Sequence, residues 1–150
     1  VHSRRHITEA GHAAVASALA HGHHFAIAVV DIDHFKRIND RFGHAVGDEV
    51  LKAVAAAMRE VCRDSDTLGR YGGEEFAVLL QGIGNEHVQI AAERLRKAVA
   101  DVRVRAGDQL IVVTASVGVA CLSPDDTGFD TLLIRADRAL YRAKSEGRNR

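Results

Sequence analysis

The sequence has no tryptophan, one proline, one methionine and two cysteines, and its 20 basic residues are balanced by 20 acidic ones. Each scarcity excludes something. Cys62 and Cys121 lie far apart and form no CxxC pair, so neither a disulfide framework nor a zinc site has support, and reduced, buried thiols are expected. A formal net charge of zero leaves no overall cationic field for nucleic acid or an anionic membrane, so any anion site must be local. The longest apolar run, residues 25–30, is too short to cross a bilayer, and the N-terminus shows no charged-then-apolar leader. A cytoplasmic domain, or the cytoplasmic part of a larger protein, is the expectation.

What remains is ordinary globular material. With 150 residues, 47% hydrophobic and 27% charged, the chain suits one domain with its own core, and no second domain fits. It begins at Val1 without an initiator Met, as a fragment of something longer would.

Apolar residues recur at helical spacing in residues 3–19, with Ser3 as a candidate N-cap, in 47–62, in 86–100 and in 129–146, the last stopping at Gly147. The His21-Gly22-His23-His24 cluster reads as a helix-terminating loop more readily than as a metal site, because Gly22 breaks the register that would converge the imidazoles. Residues 25–30 and 76–80 read as strands covered on both faces. Residues 102–105 and 110–120, separated by Gly107-Asp108, read as a second hairpin. Helices alternating with strands around one mainly antiparallel sheet of about five strands give an α+β, or α/β sandwich, architecture plus a small hairpin.

The chemistry concentrates in two stretches. In Arg70-Tyr71-Gly72-Gly73-Glu74-Glu75-Phe76, two glycines are expected to use positive φ to reverse the chain inside a covered sheet. Glu74 and Glu75 then stand side by side without a neighbouring lysine, a repulsion that an oxygen-loving divalent cation relieves. The plainer reading is a solvated turn with surface glutamates. Asp31 and Asp33 follow the first buried strand, at the sheet edge where α/β active sites sit. Asp33 is also expected to cap a short helix over 34–39, whose free N–H groups would cradle an anion beside Lys36. Asp48 is expected in the first turn of the helix that follows, where the macrodipole favours a carboxylate.

Five ordered blocks carry a resemblance: Asp31-Ile32-Asp33-His34-Phe35-Lys36-Arg37-Ile38-Asn39-Asp40; Phe42-Gly43-His44 with Gly47-Asp48; Arg70 to Phe76; Ser116-Val117-Gly118-Val119-Ala120; and Ala136-Asp137-Arg138-Ala139-Leu140-Tyr141 through Ala143-Lys144 to Gly147-Arg148-Asn149. Over nearly its whole length the chain resembles a GGDEF domain of the diguanylate cyclase family, which joins two GTP into cyclic di-GMP. The resemblance implies a nucleotidyl-cyclase, palm-like sheet and a set of roles. Asp31, the carbonyl of Ile32 and Glu74 would hold Mg²⁺ or Mn²⁺, with Glu75 a further ligand or base. Asn39 and Asp48 would select guanine, and adenine would leave Asp48 unsatisfied at a cost of about 1–3 kcal/mol. Phosphates would meet the backbone around His34 and Phe35, together with Lys36, Lys144 and Arg148, though favourable charge at a helix C-terminus also accounts for the last two. Arg63 and Asp66 of an RxxD element, helped by Arg94, would bind the product as an inhibitor, against the plainer reading of a helix-end salt bridge.

A product built from two nucleotides implies a homodimer, two domains facing each other. The Asp-x-Leu-Thr-Gly element usual before the first helix is missing, and Ser3 stands where Asn is usual. The resemblance also implies an upstream sensory or dimerising module in a longer signalling protein. Two alternatives stay open: a catalytically silent receptor for GTP or cyclic di-GMP, and a cyclase making a monomeric cyclic nucleotide.

Overall fold

A computed structural model describes residues 1–150. In chain order the elements are α1 (Arg4–His21), β1 (Phe25–Ile32), α2 (Phe35–Phe42), α3 (His44–Val61), β2 (Thr67–Arg70), β3 (Glu75–Gln81), α4 (Asn85–Ala100), β4 (Val104–Ala106), β5 (Gln109–Ile111), β6 (Ala115–Cys121) and α5 (Phe129–Ser145). The central sheet has the order β2-β3-β1-β6 with every neighbour antiparallel, and β4 and β5 form a separate two-stranded sheet. The α+β architecture read from the sequence is therefore the one observed.

Strand β1 is buried at all eight positions because both faces of the sheet are covered. Its side chains alternate. Ala26, Ala28, Val30 and Ile32 join one apolar cluster with Phe35, Ile38, Val50, Val54 and Leu95, beneath α2, α3 and α4. Phe25, Ile27 and Val29 join a second with Ile7, Val15, Leu132 and Leu140, beneath α1 and α5. Asp31 continues the odd-numbered face and so emerges under α5 at the end of β1. That parity places the first acid of the site.

The closeness of α5 to the sheet depends on a glycine. A Cβ at Gly118 of β6 would lie 2.3 Å from the Ala136 carbonyl oxygen and 2.3 Å from the Leu140 nitrogen, so helix backbone rests on strand backbone. The helix end is thereby brought down over the carboxyl end of β1.

Several local expectations change. Helix α1 begins as read, with Ser3 Oγ accepting from the His6 N–H at 3.2 Å, and it stops at Gly22, whose φ is 67°. The stretch 110–120 is two strands instead of one: it is interrupted over residues 112–114, and because β5 pairs only with β4 while β6 pairs with β1, the central sheet has four strands. Strand β2 is an edge strand, and the hairpin is not wholly interior, although His2 lies along its outer side, its N–H donating to Leu68 O and its carbonyl accepting from the Arg70 N–H. Neither Gly72 nor Gly73 adopts positive φ; the connection is longer than a two-residue turn, and the Tyr71 and Gly72 N–H groups both donate to Glu75 O. Asp33 does not cap α2, whose first flanking residue is His34 at φ 56°, and Asp48 lies beyond the first turn of α3, which starts at His44. Both cysteines are free and half-buried. No helix is long and apolar enough to cross a membrane.

Candidate active site

At the carboxyl end of β1 the antiparallel register sets Asp31 opposite Glu75, and the Ile32 N–H donates to Glu74 O at 3.3 Å. The acid that ends the buried run and the two that follow the diglycine therefore meet on one sheet edge. Asp31, Ile32, Asp33, His34, Phe35, Lys36, Glu74, Lys144 and Arg148 line one cleft of about 210 Å³. Lys144, brought over by α5, sits with Nζ 2.9 Å from Asp31 Oδ2.

The electrostatics are those of an under-neutralised carboxylate group. Burial, then the charge of Asp31, pushes the Glu74 carboxyl above the usual range, while Lys144 pulls the other way. Glu75 is raised in the same direction by burial, then Asp31, Asp137 and Glu74, and burial raises Asp137. Lys144 alone offsets the charge of Glu74 and Glu75. No three His, Cys, Asp or Glu side chains converge tightly enough to chelate an ion unaided. The donors present are carboxylates and a main-chain carbonyl, a hard-oxygen set that fits Mg²⁺ or Mn²⁺ completed by water or phosphate oxygens.

The diglycine loop is held from outside. Arg70 donates from Nε to the carbonyls of Gly72 and Gly73, each at 3.2 Å, and from a terminal nitrogen to Gly73 at 2.6 Å. The Arg4 guanidinium lies over the Tyr71 ring, 4.5 Å from its centroid. The sequence reading assigned Arg70 no such work, because its partners are carbonyls that carry no residue signature.

The positions expected to read guanine lie beside that cleft and do not line it. Asn39 Oδ1 is buried without a hydrogen-bond partner, and a Cβ at Gly47 would fall 1.9 Å from it, so Gly47 makes the room in which this oxygen sits. Asp48 opens onto a separate groove of about 680 Å³ that it shares with Leu51, Arg70 and Phe76.

Asp33 is 6% exposed, and its carboxylate accepts from Thr114 Oγ1 at 2.6 Å, Ser116 Oγ at 2.7 Å and the Asn149 N–H at 3.1 Å. Its oxygens are committed to positioning the strand edge and the chain's end.

Away from the cleft, Arg63, Asp66 and Arg94 line one cavity of about 320 Å³ with Val78, Leu80 and Ile90. Asp66 accepts from the Arg63 N–H at 2.8 Å and from its guanidinium at 3.0 Å, while the same guanidinium donates to Gln81 O at 2.8 Å. Cys62 borders this cavity, but burial pushes its thiol up to about 11, so it is no nucleophile at neutral pH.

Comparison with known proteins agrees with this fold. The family described as "Diguanylate cyclase, GGDEF domain" matches residues 1–150. The diguanylate cyclase DgcP of Pseudomonas aeruginosa is 45% identical over 124 residues, covering 83% of this chain and 18% of that protein. The GGDEF domain of DgcB from Caulobacter crescentus, solved in complex with c-di-GMP, superposes with a TM-score of 0.93 at 34% identity, covering 99% of this chain and 88% of that one. The active GGEEF domain of a diguanylate cyclase from Vibrio cholerae does so with a TM-score of 0.93 at 36% identity, covering 99% and 94%. The chain spans less than half the length of the curated relatives it matches. With its fold, its paired carboxylates and the match along all 150 residues, the chain belongs to the GGDEF family of diguanylate cyclase domains.

Proposed function

We propose that this domain condenses two GTP into cyclic di-GMP and two pyrophosphates. What carries the reading is the meeting of Asp31 and Glu74 in one cleft with Lys144 and Arg148, acids for a divalent cation beside bases for a polyphosphate. At about 210 Å³ that cleft suits the phosphate end of a nucleotide, since whole ligands of this size occupy about 300–1,000 Å³. The base then extends toward Asn39 and Asp48. Asn39 offers an unpaired buried oxygen to the guanine N–H edge, and Asp48 offers a carboxylate to the same donors.

Asp31, the Ile32 carbonyl and Glu74 would hold Mg²⁺ or Mn²⁺, with Glu75 as a further ligand or base. Bound there, the cation would lower the cost of negative charge on the attacking 3′-oxygen and the departing pyrophosphate. Lys144, Arg148, Lys36 and the main chain at His34 and Phe35 fix the triphosphate, and the residues at Asn39 and Asp48 fix the base, so the α-phosphorus is presented in one orientation. One cleft holds one nucleotide. The second hydroxyl must come from a facing copy, which makes the working unit a two-fold dimer, brought together by an upstream sensory or dimerising module of a cytoplasmic signalling protein.

The test is incubation of concentrated protein with GTP and Mg²⁺, followed by chromatography of the products. Wild type is expected to yield cyclic di-GMP, and Glu74→Ala to lose at least about a hundredfold in rate, as removal of a charge-stabilising group does. A fully active Glu74→Ala variant, or a monomeric cyclic nucleotide as product, overturns the assignment. One observation favours a second reading: the ready-formed cavity of Arg63, Asp66 and Arg94 fits a receptor that binds cyclic di-GMP without turnover. Binding by calorimetry in the absence of any synthesis would select it.

A further inference from the structure

The last residues of the chain are held in a conformation that their sequence does not favour. Arg148 and Asn149 have φ of 66° and 52°, and neither is glycine. Consecutive side-chain-bearing residues in the left-handed region persist only where their surroundings determine them. Here the surroundings are specific. Asn149 donates its N–H to Asp33 Oδ2 at 3.1 Å and accepts at its side-chain oxygen from Arg96 at 2.7 Å, so it is gripped from the strand edge on one side and from α4 on the other. Arg96 is itself held by the Glu93 carboxylate. The Arg148 N–H donates to Ala143 O at 2.9 Å, and Arg150 O accepts from the Val117 N–H at 3.2 Å. Between these fixed points only Arg148 is turned into the cleft that Asp31, Glu74 and Lys144 share.

We infer that Asn149 is a positioning residue for nucleotide phosphate, clamped by Asp33 and Arg96 so that Arg148 faces the cleft. The inference rests on the proposal that this cleft binds GTP. It gives Asp33 a use distinct from the metal ligation of its neighbour Asp31: all three of its observed bonds are accepted from donors of the protein, two of which orient the carboxylate toward the third. It also explains why an ion pair on the surface of α4 reaches across to the chain's end, 53 residues away in sequence.

The experiment compares Arg96→Ala, Asn149→Ala, Asn149→Asp and Arg148→Ala, each alone and the first two also combined with Arg148→Ala. The readouts are KM and kcat for GTP with Mg²⁺, and binding of a non-hydrolysable GTP analogue by calorimetry. Arg96 lies outside both apolar clusters, so its truncation leaves the fold intact, and a cooperative thermal melt checks every variant. Arg148→Ala is expected to weaken binding by about tenfold, as loss of one charge-assisted contact does. Arg96→Ala and Asn149→Ala should raise KM and Kd by about three- to tenfold with kcat within about twofold, and add almost nothing in the Arg148→Ala background, since a positioning residue has no effect once its client is gone. Asn149→Asp keeps the acceptor for Arg96 and should restore most of the affinity. If wild type binds the analogue but the effects of Arg96 and Arg148 add, the clamp alone is overturned. If wild type neither binds the analogue nor makes product, the cyclase reading falls and the clamp with it.

Discussion

Glu75 is a residue whose place works against the fold. It faces Asp31 across the β1–β3 ladder, and burial, then the charges of Asp31 and Asp137, raises its carboxyl above the ordinary value. A carboxyl raised in the folded state holds its proton more firmly there than in the unfolded chain. Stability is therefore lost as pH climbs from the unfolded value through the raised one, and the loss persists at neutral pH. Glu75→Gln removes the ionisation and keeps the shape. Without divalent cation it is expected to raise Tm at pH 7.5 by about 1–2 °C, a small effect because solvent screens the half-exposed group, and by less at pH 4. Thermal melts at the two pH values check this, and an equal shift at both would show that charge is not the cause. These acids were legible in the sequence because adjacency alone makes Glu74 and Glu75 suspicious. Asp33, Arg96 and Asn149 were not legible as a unit, since the two bonds joining them span 116 and 53 residues of chain and leave no local pattern. Asp33 beside a short helix has the look of a cap, and only the folded chain brings it better donors.

Among the elements, the four long helices announced themselves through apolar spacing to within three residues at each end, because each buries one continuous stripe against the sheet. Strand boundaries were less legible where an apolar run changes its pairing partner, as the chain does between β5, which pairs with β4, and β6, which pairs with β1. The diglycine connection misled for a different reason. Its glycines are not there for positive φ: Gly73 has open space around it and Gly72 lies against the Glu75 side chain, while the Arg70 guanidinium binds the carbonyls of both. Gly118, by contrast, is required by contact. A methyl group there would push against the backbone of α5, which no rotamer change relieves, and it would lift the helix that carries Lys144. Gly118→Ala is expected to cost about 3 kcal/mol, at the upper end for overpacking, and to lower synthesis even where the domain remains folded. Urea unfolding gives the first quantity and GTP turnover the second. A loss of stability below about 0.5 kcal/mol would mean that α5 can ride up without consequence, and that its seat on β6 does not set the site.

For the molecule as a whole, strand β3 joins two places of different character. Glu75 begins it at the carboxylate cleft, and Gln81 ends it where the Arg63 guanidinium donates to the Gln81 carbonyl beside the second cavity. Seven residues of strand separate them by roughly 20 Å at about 3.4 Å per residue, too far for one bound dinucleotide to touch both. If the cavity of Arg63, Asp66 and Arg94 is the product site that the resemblance implies, cyclic di-GMP held there would not overlap GTP in the cleft. Arg63 and Asp66 satisfy each other, so a ligand bound there would exchange that pair for contacts of the same kind to its phosphate and guanine. Arg63→Ala leaves Asp66, 9% exposed, with its backbone bond alone and takes away the fork that grips phosphate. It is expected to weaken cyclic di-GMP binding at least about tenfold, the worth of one bidentate charge-assisted contact, and to let progress curves run on where wild type levels off. Calorimetry with cyclic di-GMP and time courses of synthesis at high protein concentration measure the two effects. If the variant still binds cyclic di-GMP with wild-type affinity, this cavity is not the product site. If binding is lost while the plateau remains, the plateau arises at the GTP cleft itself, by competition between product and substrate.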